Sequence, residues 1–145
     1  MSAMSVPRVG PALLFALALA GRSVFSLSQT PAPAPSPSSP VTYTEEQAAR
    51  GADVFSQVCV ECHVRKDMSN ANFRVKWNGR PAFDLFEIIR STMPEGSPGS
   101  LDRPSYLDVV AYIAKVNGIE AGTTALPDDE AVLKKQLLAL PPTAP

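Results

Sequence analysis

The chain of 145 residues holds two cysteines and a single histidine, and all three fall in one run, Cys59-Val60-Glu61-Cys62-His63. Two thiols one helical turn apart lie on one face, where each can form a thioether with a vinyl group of a haem. The imidazole beside the second thiol is then brought under the ring, so that one of its nitrogens can bind iron. C-x-x-C-H is the attachment signature of a c-type haem. Rival readings of these residues are poorer. Structural zinc wants four Cys or His ligands, usually as two separated pairs. A thioredoxin-like dithiol would open a helix inside a strand-helix-strand pattern, and no strand alternation flanks Cys59. A plain disulfide ranks below the dithiol.

A six-coordinate iron needs a second axial ligand, and the chain has four methionines. Met1 and Met4 belong to an apolar N-terminal segment, and Met68 follows His63 too closely to reach over the ring easily. Met93 opens the Gly/Pro-punctuated loop Met93-Pro94-Glu95-Gly96-Ser97-Pro98-Gly99-Ser100 and is the favoured ligand. The competing reading makes Met93 a filler of core space and leaves the iron open. Trp77 and Arg80 either bond a haem propionate through the indole N–H and guanidinium or, for Trp77, simply pack in the core.

The elements that must position these groups read as helices. A first helix is expected from about Glu45 to Val58, capped by Thr44, with Gln47 completing a capping box and Glu45 and Glu46 facing the positive helix end. Ala48, Gly51, Val54 and Phe55 form its buried face. Gly51 in mid-helix costs about 1 kcal/mol against Ala, and close approach of a second helix is the natural reason to keep it. Residues 64–80 read as loop anchored by Phe73 and Trp77. A second helix is expected over Pro81–Ser91, with Phe83, Leu85, Phe86, Ile88 and Ile89 in contact. A third should run from Tyr106 to Asn117, capped by Ser105, ended by Gly118 and crossing the first at Gly51. A short amphipathic segment over Asp128–Leu140 is expected to pack on the outside.

Before the first helix, Arg8 precedes the apolar run Pro11–Ala20, which suits a signal peptide over residues 1–28 cut after Ala20 or near Ser28. Arg22 stops that run short of the ~20 residues of a spanning helix, so an uncleaved membrane anchor is the lesser alternative. Residues 29–43, rich in Pro, Ala and Ser, read as an extended linker. Residues 44–118 form the expected haem domain, and 119–145 a C-terminal extension. The folded part is about 100 residues. A haem would supply the apolar body that so small a core lacks, so the haem-free chain should fold poorly.

Formal charge is −1, so no basic excess points to nucleic acid. Arg65, Lys66, Arg74, Lys76, Arg80 and Arg90 outnumber Asp67, Asp84 and Glu87, whereas Glu120, Asp128, Asp129 and Glu130 outnumber Lys134 and Lys135. That asymmetry either steers docking of a charged partner or is only a set of solvated faces.

Taken together, Cys59 to His63 after a helix bearing Gly51 and Phe55, then Met93-Pro94 in a loop, then a closing helix with Ala111-Tyr112-Ile113, resemble the class I monohaem cytochrome c family over about Glu45–Gly118. The resemblance implies an all-α cytochrome c fold with three main helices around one covalent haem c, plus the short C-terminal helix. It implies Cys59 and Cys62 as thioethers, His63 and Met93 as axial iron ligands, and crossed first and last helices. The chain also looks like small bacterial cytochromes that serve periplasmic dehydrogenases. Two departures stand out: Val64 replaces the glycine many relatives carry, and no proline follows soon after to offer a carbonyl to the His63 N–H. The sequence therefore leaves the partner of that N–H open.

If both ligands bind, the iron has no vacant position, and the expected function is single-electron transfer by an exported, non-enzymatic carrier with a fairly high potential. Expected partners are redox proteins such as a periplasmic dehydrogenase or a membrane oxidase, with membrane association only if the N-terminal segment stays uncut. Val60, Glu61 and Val64 would lie near the haem edge that meets them. The alternative is an open-site peroxidase-like enzyme or diatomic-gas sensor, which lacks a distal histidine because His63 is the only one.

Overall fold

Glu45–Val54 forms α1 because Thr44, in extended conformation, accepts the N–H of Gln47 at 3.2 Å while Glu45 and Glu46 occupy the positive first turn. The computed structural model describes residues 38–142. The expected signal peptide with its two cleavage sites, and most of the expected linker, lie outside those residues. The capping box is only half made. Instead of turning back to Thr44, the buried Gln47 amide accepts from Leu126 N–H at 2.7 Å and donates to Leu126 C=O at 3.2 Å. That pair of bonds ties the C-terminal extension to α1.

After Val54 the chain widens into a π-helical stretch, Phe55–Cys59, where the sequence predicts continued α-helix. Four further α-helices follow among the described residues: α2 Ala71–Trp77, α3 Ala82–Thr92, α4 Arg103–Val116 and α5 Glu130–Leu133, with a 3₁₀ turn at Arg65–Met68. The expected loop over 64–80 is therefore largely helical. Asn70, counted as a turn former, is the N-cap of α2 and accepts from Phe73 N–H at 2.9 Å. Seven residues are too few to display a period. Phe73 and Trp77 do anchor this stretch, their ring centroids 6.1 Å apart.

α4 starts earlier than its pattern suggests. Asp102, not Ser105, is the cap, accepting from Ser105 N–H at 2.8 Å, and Pro104 sits in the first turn, where a missing N–H costs nothing. Gly118, at φ +85°, ends the helix as expected. On α3, Leu85 and Phe86 are buried but Ile88 faces solvent, against expectation.

α1 crosses α4 at Gly51. A Cβ placed there would lie 1.9 Å from the backbone oxygen of Asp108, so only glycine permits this approach. Beside the crossing, Arg50 grips the mostly buried Asp108 carboxylate with two bonds of 2.7 and 2.9 Å. One turn on, Phe55 packs on Tyr112 with centroids 5.3 Å apart.

The expected short C-terminal helix is present as α5, but the extension packs into the core and not on the outside. α5 is one turn long, and the chain then extends so that Leu138 and Leu140, two residues apart, share one buried face. Gln136–Leu137 (β2) pairs in parallel with Ser39–Pro40 (β1). Val41 and Tyr43, placed by sequence in the linker, are consequently core residues, and the Tyr43 hydroxyl donates to the carbonyl of Ile119. Burial, with Glu45 and Glu120 nearby, pushes the Tyr43 phenol up to about 12. Among the described residues no helix is long and apolar enough to cross a membrane.

Candidate functional site

The π stretch decides where the thiols point. Val60 N–H bonds back five residues to Phe55 C=O at 3.1 Å, and the Cys59 carbonyl then accepts from both Cys62 N–H and His63 N–H at 3.2 and 2.9 Å. A widened turn of this kind often marks a functional position in a helix. Here it brings Cys59, Cys62 and His63 onto one wall of a single cavity. Both thiols are free, and burial pushes that of Cys59 up.

His63 keeps about a third of its side chain exposed, and its Nδ1 lies 4.0 Å from Oδ2 of Asp67. The same oxygen accepts the Val64 N–H at 2.9 Å, which fixes the carboxylate one turn beyond the imidazole. Sequence reasoning left the histidine's neighbour open. The four-residue spacing of His63 and Asp67 across a tight turn was the signal available.

Facing residues come from the end of α3, the following loop and α4. Ile89, Met93, Pro94, Gly96 and Leu101 form one side, and Tyr106, Val109 and Ile113 contribute from α4. The Tyr106 hydroxyl donates to the Met93 carbonyl at 2.8 Å and accepts from Leu101 N–H at 3.4 Å. Nothing in the sequence announces that contact, since it depends on how the loop folds back over α4.

The cavity holds about 660 Å³ and is walled mainly by apolar side chains, within the size range of a pre-formed cofactor site. Cys59, Cys62, His63 and Met93 all line it. Met68, set aside by its closeness to His63, lines it too; its carbonyl accepts from the buried Asn117 amide at 2.7 Å. Two thiols, an imidazole and a thioether around an apolar space of this size fit a covalently held haem.

Trp77 and Arg80 do not reach it. Arg80 stacks 4.8 Å from the Trp77 ring and bonds Asp84 at 2.8 and 3.2 Å, while the adjoining backbone pairs with Leu138. Trp77 is buried in the core, and neither it nor Arg80 lines the cavity. Charged groups at the cavity are instead the acidic Glu61 and Glu95. Of the basic run between residues 65 and 90, Arg80 and Arg90 are already paired with Asp84 and Glu87, and Arg74 is bonded to Asn117 and Pro141.

Residues 46–113, which run from the first turn of α1 into α4 and take in Cys59, Cys62, His63 and Met93, match the family model for cytochrome c oxidase, cbb3-type, subunit III. No curated protein and no solved structure matches the chain.

Proposed function

Starting from residues 46–113 as a c-type cytochrome domain of all-α fold that carries covalent haem c for electron transfer, we propose that the protein is an exported single-electron carrier whose iron is held between His63 and Met93. The observation that carries this reading is that one apolar cavity gathers Cys59, Cys62, His63 and Met93. Bound there, the haem supplies an iron that alternates between the ferrous and ferric states.

The residues divide the work. Cys59 and Cys62 fasten the porphyrin through thioethers, and His63 lies beside the second of them. Met93 supplies a soft ligand that favours the reduced state relative to a second imidazole. If His63 and Met93 both held the iron, no position would remain on it for a substrate, which favours a carrier over an enzyme. Val60 and Val64, both exposed, flank the thiols and offer an apolar surface where a redox partner can approach. Acceptors and donors of the kind expected are a membrane oxidase and a periplasmic dehydrogenase, and the matched family's description names an oxidase subunit.

The test is the optical spectrum of the exported, haem-loaded protein in both redox states. A haem c spectrum with the weak long-wavelength sulfur-to-iron band, lost in Met93→Ala and kept in Met68→Ala, is expected. The reverse pattern would assign the ligand to Met68. A spectrum without the band that shifts on adding carbon monoxide would replace the carrier by an open-site protein.

A further inference from the structure

We propose that Tyr106 is the positioning residue for the loop that presents Met93, clasping both ends of that loop to α4 through one hydroxyl. The proposal rests on Met93 as an axial ligand, as argued above. Tyr106 is 1% exposed, and its ring forms part of the cavity wall. The hydroxyl gives its proton to the Met93 carbonyl at 2.8 Å and takes the Leu101 N–H at 3.4 Å, so residues 93 and 101 are joined through a single oxygen.

Elsewhere the loop is held locally. Met93 N–H bonds Ile89 C=O at the end of α3, and Ser97 and Ser100 close short turns on Pro94 and Ser97. Those bonds shape the loop without fixing it to α4. The base of the clasp, in contrast, is rigid: Tyr106 stands in the first capped turn of a helix whose Val109, Val110 and Ile113 are buried. With the Met93 N–H held on Ile89 C=O and its carbonyl held by Tyr106, the backbone on both sides of its Cα is restrained, which holds the thioether at the cavity. Removing the hydroxyl leaves that carbonyl without its partner and lets the loop swing outward.

The experiment compares wild type, Tyr106→Phe, Met93→Ala and Val110→Ala as exported haem-loaded proteins. Tyr106→Phe keeps the ring and the packing. Val110→Ala lowers stability through a buried α4 position that does not line the cavity. Added imidazole competes with the thioether for iron, so its apparent affinity reads how firmly Met93 is held. One neutral hydrogen bond corresponds to a change of roughly two- to tenfold. Tyr106→Phe should therefore bind imidazole several-fold more tightly than wild type, with a weaker sulfur-to-iron band, and exchange the Leu101 amide faster. Val110→Ala should match wild type in affinity.

Equal imidazole affinity and equal Leu101 exchange in Tyr106→Phe and wild type would overturn the clasp. So would a gain matched by Val110→Ala, since general loosening would then explain it. A wild type that already lacks the band and binds imidazole as readily as Met93→Ala defeats the ligation reading itself, and the clasp falls with it. Faster Leu101 exchange in Tyr106→Phe would then show only that the hydroxyl holds the loop.

Discussion

Gly51→Ala adds one methyl group to a helix interior, where Ala would ordinarily gain about 1 kcal/mol over Gly. At this crossing the sign should reverse. The new Cβ would stand 1.9 Å from the Asp108 carbonyl oxygen and 2.4 Å from its carbon, both backbone atoms of α4 that cannot rotate aside. Ordinary contact begins near 3.4 Å, so the helices must part by on the order of 1.5 Å. A radial gap of even 0.5–1 Å forfeits about a quarter to a half of the dispersion energy across it. Parting also strains the two Arg50–Asp108 bonds and lifts Phe55 from Tyr112. Overpacking typically costs about 1–3 kcal/mol, and a backbone obstacle belongs at the upper end of that range. After the propensity gain is deducted, a net loss of about 2 kcal/mol is expected, lowering the melting temperature by on the order of 10 °C for a domain of this size. Denaturant unfolding of the haem-loaded protein, followed by circular dichroism, measures it. Gly122→Ala is the control, because its nearest neighbour is 4.0 Å away. A Gly51→Ala variant as stable as wild type would refute the close crossing.

Two further outcomes follow from charged groups. The side-chain and backbone bonds from Ser105 hold the Asp102 carboxyl below its ordinary value of 3.8. Its stabilising effect is thus complete above that value and lost as the pH falls through the lowered folded one. Asp102→Asn keeps the cap but should flatten that part of the acid limb in thermal melts at pH 2 to 5, the window around an ordinary Asp of about 3.9. Asp67→Asn removes a negative charge 4.0 Å from His63 Nδ1, and with it some stabilisation of the ferric state. Redox titration should show a higher potential. Asp67 is half exposed, so the rise should stay below the roughly 59 mV that marks a tenfold change in a one-electron equilibrium. An unchanged or lower potential would separate Asp67 from the iron.

The parts of this fold that the sequence announced are those with a local cause. Thr44, Gly51 and Gly118 each act within a turn or at one crossing, and the sequence pattern around each pointed to its role. Asp102 and Asn70 were missed as caps because the helices they start are short of apolar periodicity at that end. The C-terminal extension was misplaced for a different reason. Leu133, Leu138 and Leu140 are buried by partners far away in the chain, among them the edge at Gly79–Arg80, so their spacing alone suggested a surface helix. At the cavity, Cys59, Cys62 and His63 were legible as a contiguous motif and Met93 through its loop. Tyr106 and Asp67 were not, since one works through a fold-back of the loop and the other through a 3₁₀ turn that sequence had left as loop. Trp77 and Arg80 drew attention by their types, yet packing placed them elsewhere.

The parallel pairing of β1 with β2 also has a mechanical side. Ser39 N–H bonds Lys135 C=O at 3.0 Å and Val41 N–H bonds Leu137 C=O at 2.9 Å, both across the same short seam. Because the strands run in the same direction, a pull on the chain before Ser39 against one beyond Leu140 acts along the seam, not across it. Both bonds then bear the load at once, as in a lap joint, and neither can be peeled away ahead of the other. The buried side chains of Val41 and Leu138 lie at the same joint. A force transmitted along the chain would meet this joint before it reached α1, α4 and the cavity.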